Sequence, residues 1–205
     1  MSDHDLQESV AGKTLSRSAI AQLMGSNFHK LPDTEQKIFK YGPVYVGGNA
    51  ALAGLLANSF YRRVLNVTQA TIASSLPMAV LPFMSTYVFY NAIVSSPLLS
   101  GDLQCPGCVL LRGALAAVVG GGVYPIILAL PVNVGLATRY NTAPMPEKGN
   151  TLRFWIDISR PVLKKMWPAL ILQALFATFL SSRTFESYLK LSKVALDSQR
   201  EELQN

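Results

Sequence analysis

Charge is what this chain lacks over most of its length. Only 15% of its 205 residues are Asp, Glu, Lys or Arg, against about 25% in a typical soluble domain. None occurs in four windows, Tyr41–Tyr61, Val64–Gly101, Gly113–Thr138 and Met166–Ser182. A helix of a soluble protein needs a wet, charged face, so these windows exclude a soluble bundle. Histidine is almost as scarce: the two present, His4 and His29, precede every window, which leaves the apolar region without the usual base for acid–base or triad chemistry. With no carboxylate in any window, proton relays and cation-coupled pumping lack their customary residues. No Walker-type or GxGxxG loop is present, and Gly120-Gly121-Gly122 is an apolar run that cannot cradle phosphate.

Cysteine is limited to Cys105 and Cys108, in Gly101-Asp102-Leu103-Gln104-Cys105-Pro106-Gly107-Cys108. Two thiols at this spacing can close a disulfide, pass electrons or supply half of a zinc site. Zinc needs four ligands and only the two distant histidines remain, so no metal site is expected. A redox pair usually opens a helix within a βαβ unit, and no such unit is legible. A disulfide or two ordinary thiols are the open readings.

What the windows do contain is apolar sequence of membrane-spanning length. At ~1.5 Å per residue, about 20 residues cross a ~30 Å hydrocarbon core. The chain is therefore expected to be an all-α membrane protein with four transmembrane helices at about 42–61, 73–95, 115–136 and 166–182. They form one domain over 41–182, between a polar, partly disordered tail at 1–40 and a polar, helical tail at 183–205. Pro43 suits a first helical turn. Pro77 and Pro82 in the second span, and the triple glycine with Pro125 and Pro131 in the third, predict kinks. Ser74, Ser75 and Ser85 are available to re-satisfy the carbonyls that proline frees. Alternatively, Leu65–Leu76 lies along the interface and the second crossing starts at Pro77.

Small residues recur at spacing four. Gly47 and Ala51, then Ala50, Gly54 and Asn58, mark the first span; Gly113, Ala117 and Gly121 mark the third; Ala169, Gln173 and Ala177 mark the fourth, continued by Ser181. Such ladders let helix backbones approach closely, which drives association where lipid removes the hydrophobic force. These residues are the candidate helix-packing interface. Gln173, the most polar side chain of the fourth span, is expected to find an interhelical partner.

The net charge of +6 reflects basic residues flanking the spans rather than a nucleic-acid surface, since no aromatic-interleaved basic stripe occurs. The connection Arg139–Lys165 could bind acidic headgroups such as cardiolipin. Lys and Arg near the spans divide eight against eight between the two sides, so charge does not set the orientation. The first long apolar run begins near residue 42, which argues against a secretory signal peptide. Asp3, Asp5 and Glu8 argue against a conventional mitochondrial presequence, although the acid-free stretch Ser9–Pro32 carries Lys13, Arg17 and Lys30 as a targeting segment would.

Longer strings carry a resemblance. NAALAGLLANSFYRRVLNVTQA (Asn49–Ala70), SLPMAVLPF, GDLQCPGC, GGGVYPIILALPVNVGLATRY and KGN followed by FWIDISRPVLKKM closely resemble the transmembrane protein 126 family, nearer its A branch than its B branch, over about residues 38–182. The resemblance implies a multi-pass protein of the mitochondrial inner membrane that assists assembly of respiratory complex I, with the distal proton-pumping part of the membrane arm as its client. Implied partners are membrane-arm subunits and assembly intermediates, other assembly factors and inner-membrane lipid. It implies no catalytic residues and no cofactor, and it places both termini in the matrix. The Cys105–Cys108 loop would then also face the matrix, where a stable disulfide is less expected. A small carrier using the glycine- and proline-broken third span, and a redox protein acting through the cysteine pair, are the competing readings.

Overall fold

The computed structural model describes residues 17–143 and 150–204, and every regular element among them is helical. Residues 1–16, 144–149 and 205 lie outside the described residues, and with them the expectations placed on Asp3, Asp5, Glu8 and Lys13 and on the middle of the Arg139–Lys165 connection. Helix α1 spans Arg17–Asn27, α2 Asp33–Val64, α3 Thr71–Leu99, α4 Pro106–Tyr140 and α5 Thr151–Gln204.

Three of these, α3, α4 and α5, are long and apolar enough to cross a membrane. At 32 residues α2 is long enough, but Gly47, Gly48, Asn49, Gly54 and Asn58 lower its apolarity. Its position supplies the reason, because α2 packs against α3, α4 and α5. A helix enclosed by protein on several sides owes lipid few apolar side chains.

The contacts fix the topology. Asn58 meets Ser74, and Gly54 meets Met78, so α2 and α3 form an antiparallel hairpin. Gly113 faces Ser181 and Gly121 faces Gln173, which makes α4 and α5 antiparallel. Asn58 bonds Asn133, and Tyr61 bonds Ser159. Buried side chains divide into one cluster around Val46, Tyr90, Leu98 and Leu191, a second around Ala57, Tyr61, Met78 and Met166 toward the other end, and a small third of Leu65, Val67 and Ala137 at the α2–α3 turn.

Several boundaries differ from expectation. Pro43 lies inside α2 rather than in its first turn, because Asp33 and Glu35 start the helix ten residues earlier, where carboxylates suit the positive end of the macrodipole. The 38-residue charge-free window Val64–Gly101 holds a turn at 65–70 and then α3, not an interfacial helix followed by a crossing from Pro77. Leu65 and Val67 in that turn are buried. The fourth span belongs to a helix of 54 residues, about 80 Å long.

Helix continues through Pro77, Pro82 and Pro131. The irregularities are two π-helical turns, Asn91–Ser95 and Val119–Val123, where the N–H of Ser96 reaches the Asn91 carbonyl and that of Tyr124 the Val119 carbonyl. Such single-turn insertions of i→i+5 bonding are a recognised way for a helix to deform.

One end of the bundle is braced by an ion pair. The Glu35 carboxylate accepts hydrogen bonds from the Lys190 ammonium and the Ser187 hydroxyl, tying the start of α2 to the far part of α5. These bonds, Lys190 first and Ser187 second, hold the Glu35 carboxyl below its ordinary value of 4.5. A depressed carboxylate pKa contributes stability that is fully present above the unfolded value and is lost as pH falls through the lower, folded-state value. Melting the purified protein in detergent should therefore show wild type exceeding Glu35→Gln at neutral pH, with the difference shrinking as pH falls below the ordinary carboxyl value of 4.5. Because the Lys190 side chain is 56% exposed, the difference should stay below about 1 kcal/mol. A constant difference across the pH range would contradict the assignment.

Candidate functional site: a polar seam inside an apolar bundle

The sequence-predicted ladders meet one another. On α4, Gly113, Ala117 and Gly121 are buried; on α5, Gln173, Ala177 and Ser181 are buried and Ala169 is half-buried. A methyl added at Gly113 would lie 1.8 Å from Ser181 Oγ, and one at Gly121 would lie 2.0 Å from Gln173 Nε2. On α2, Gly47 and Gly54 face α3 while Ala50 faces Gly121; Ala51 is half-buried. The small residues thus seat the chain's own helices against each other. Surfaces left outward are large and apolar, among them a groove of about 800 Å³ between α2 and α5 lined by Tyr45, Leu52, Leu172, Leu175, Phe176 and Phe179.

Gly54 illustrates how close the approach is. Pro82 lacks the N–H that would bond the Met78 carbonyl four residues earlier. That freed oxygen is directed at Gly54, where an added methyl would stand 2.0 Å from it. Only a residue without Cβ admits this contact, and Cα–H···O interactions of this kind recur at helix–helix interfaces.

Polar groups collect in a seam through the α2–α3 hairpin. Asn58 Nδ2 donates to Ser74 Oγ and Ser75 Oγ, both at 3.2 Å. Asn133 Nδ2 donates to Asn58 Oδ1 at 2.8 Å and to the Ala129 carbonyl. Arg62, only 8% exposed, donates to Ser74 Oγ, Thr71 Oγ1 and the Gln69 carbonyl. The serines expected to re-satisfy the carbonyls freed by proline bond elsewhere: Ser74 donates to the Thr71 carbonyl and Ser85 to that of Pro82, whereas Pro77 and Pro82 free those of Ala73 and Met78. Further along, Tyr90 and Ser181 share a bond of 2.9 Å at the meeting of α3, α4 and α5.

Gln173 departs from expectation. It is buried beside Gly121 and Gly122, and neither atom of its amide has a hydrogen-bond partner among the described residues. Gly120–Gly122 are buried as well and face Thr86, Ala50 and Leu170, so the π-turn is filled by neighbours.

Cys105 and Cys108 are free and exposed. Cys105 caps α4, its Sγ accepting the Cys108 N–H at 3.4 Å, and no strand among the described residues builds a βαβ unit around the pair. Hydrogen bonding from the Cys108 thiol, and then from its backbone N–H, holds the Cys105 thiol below its ordinary value. Among the described residues no group of three or more His, Cys, Asp or Glu side chains could hold a metal.

Arg62, Glu35 and Tyr90 play structural parts that sequence reasoning did not assign. Arg62 reads from sequence as a flanking charge. Its only available signal is that it is the first of two arginines following an apolar run and stands a few residues before Thr68, Thr71, Ser74 and Ser75.

Together these features define a protein whose described regular elements are all helical, with three helices long and apolar enough to cross a membrane and a seam of buried polar groups between them. The sequence model of the family Transmembrane protein 126 matches residues 18–197. The chain belongs to the Transmembrane protein 126 family. It is 46% identical over 183 residues to Transmembrane protein 126A of Mus musculus, covering 89% of this chain and 93% of that protein. It is 49% identical over 162 residues to Transmembrane protein 126A of Homo sapiens (79% and 83% covered). To the protein named Complex I assembly factor TMEM126B, mitochondrial, of Homo sapiens, it is 31% identical over 169 residues (82% and 72% covered). No solved structure matches.

Proposed function

We propose that this protein is a non-enzymatic assembly factor of mitochondrial respiratory complex I, a membrane scaffold for the distal module of the membrane arm. The observation that carries the reading is the 31% identity to a mitochondrial complex I assembly factor over 82% of this chain. The location that goes with it is the mitochondrial inner membrane, with α2 as a fourth crossing and both termini in the matrix. The Glu35–Lys190 ion pair, which joins the start of α2 to the end region of α5, supports termini on one side. Membrane-arm subunits would meet the outward apolar faces, because the small-residue ladders are occupied within the chain.

Cells lacking the protein are expected to lose complex I and its distal-arm intermediates on native gels, with recovery on re-expression. Normal complex I and an unchanged set of intermediates would refute the proposal.

A further inference from the structure

We propose that a pocket at the α2–α3 turn binds a phosphate-bearing anion, a phosphate ester of the kind carried by acidic phospholipid headgroups. The pocket has a volume of about 440 Å³ and is lined by Arg62, Arg63, Asn66, Thr68, Thr71 and Ser75 among others, a size within the ordinary range of small-molecule sites. Two observations bear on its ligand, the first pointing to an anion and the second leaving no net opposing charge beside it.

The first is the state of Arg62. Its guanidinium is withdrawn from solvent, and the three acceptors it reaches are a serine hydroxyl, a threonine hydroxyl and a backbone carbonyl. All three are neutral. No carboxylate lines the pocket among the described residues. A buried charge without a counter-charge is costly, and a guanidinium has five N–H groups, so donors remain beyond those holding the turn. Arg63 is exposed beside it and adds a second positive charge.

The second is the start of α3. The residue before it is Ala70, which has no side chain able to cap, so the first amides of a long helix open without a side-chain partner. Helix N-termini of this kind attract anions through their free N–H groups and dipole. The negative C-terminal end of α2 stands nearby, but the two helix ends offset one another. What remains is the charge of the two arginines. The site also lies where an uncharged window ends at Tyr61 and the next begins at Val64, the level at which a spanning chain meets phosphates.

Arg62 also staples the hairpin, so its removal would confuse folding with binding. Arg63 makes no hydrogen bond to the turn and gives the clean variant. The full-length protein in detergent should be titrated with phosphatidylglycerol, phosphatidylcholine and glycerol 3-phosphate, with binding read by native mass spectrometry and thermal shift. Phosphatidylglycerol should bind at least about tenfold tighter than phosphatidylcholine. Arg63→Gln should weaken it about tenfold, the worth of one charge-assisted hydrogen bond. Arg112→Gln, exposed near the opposite end of the bundle, should leave it unchanged. Binding of glycerol 3-phosphate alone, with the same dependence on Arg63, would uphold the site with a soluble ester as its ligand. Binding of neither anion, or equal losses from Arg63→Gln and Arg112→Gln, would overturn it.

Discussion

Gly54→Ala is expected to destabilise the folded protein by about 3 kcal/mol, the upper part of the range for overpacked sites. The added methyl would fall 2.0 Å from the Met78 carbonyl oxygen and 3.0 Å from the Pro82 ring. Backbone and proline ring are both rigid, so α3 must move away from α2, and the Asn58 contacts to Ser74 and Ser75 move with it. Gly48→Ala provides the comparison within the same helix. Nothing lies within 4 Å of that position, so the change should be neutral or gain up to ~1 kcal/mol from helix propensity. Thermal or denaturant unfolding in detergent measures both. Equal stabilities for the two variants would mean that α2 and α3 do not approach closely at Gly54.

The second large effect is expected at Asn58. Asn58→Ala leaves the Ser74 and Ser75 hydroxyls and the Asn133 amide without their shared partner, and it should cost about 2 kcal/mol. Asn133→Ala should cost less, about 1 kcal/mol, since Asn133 Oδ1 already has no partner. The double variant should fall short of the sum by roughly 0.6 to 1 kcal/mol, in keeping with couplings measured between polar side chains inside membranes. Strict additivity would show that the 2.8 Å contact carries no energy of its own.

The three long apolar helices α3, α4 and α5 were readable from the absence of charge, because charge is costly at a lipid-facing residue whatever its neighbours are. The ladders were readable from spacing alone, since i, i+4 residues share a helix face. Their partners were not readable. Nothing in Gly113, Ala117 and Gly121 says that they meet Ser181, Ala177 and Gln173 rather than another protein, because small residues advertise close approach without specifying to what. Arg62 was hidden for a different reason. An arginine after an apolar run looks like an interfacial anchor, and only the fold of the turn at 65–70 brings Gln69, Thr71 and Ser74 around it. The length of α2 was legible only in retrospect, once Asp33 and Glu35 were seen as first-turn residues rather than tail charges.

The uninterrupted course of α5 has a mechanical consequence. Beyond Pro168 the helix runs to Gln204 without another proline, a rod of about 54 Å. Its near end is gripped at Gln173, Ala177 and Ser181, where α4 glycines leave almost no play, and its far part is held by Glu35. A tilt of only 5° at the gripped end would carry the tip about 4 Å sideways. Small adjustments between α4 and α5 are thereby magnified at a distance, and the Glu35–Lys190 strut acts as the latch that restrains this lever.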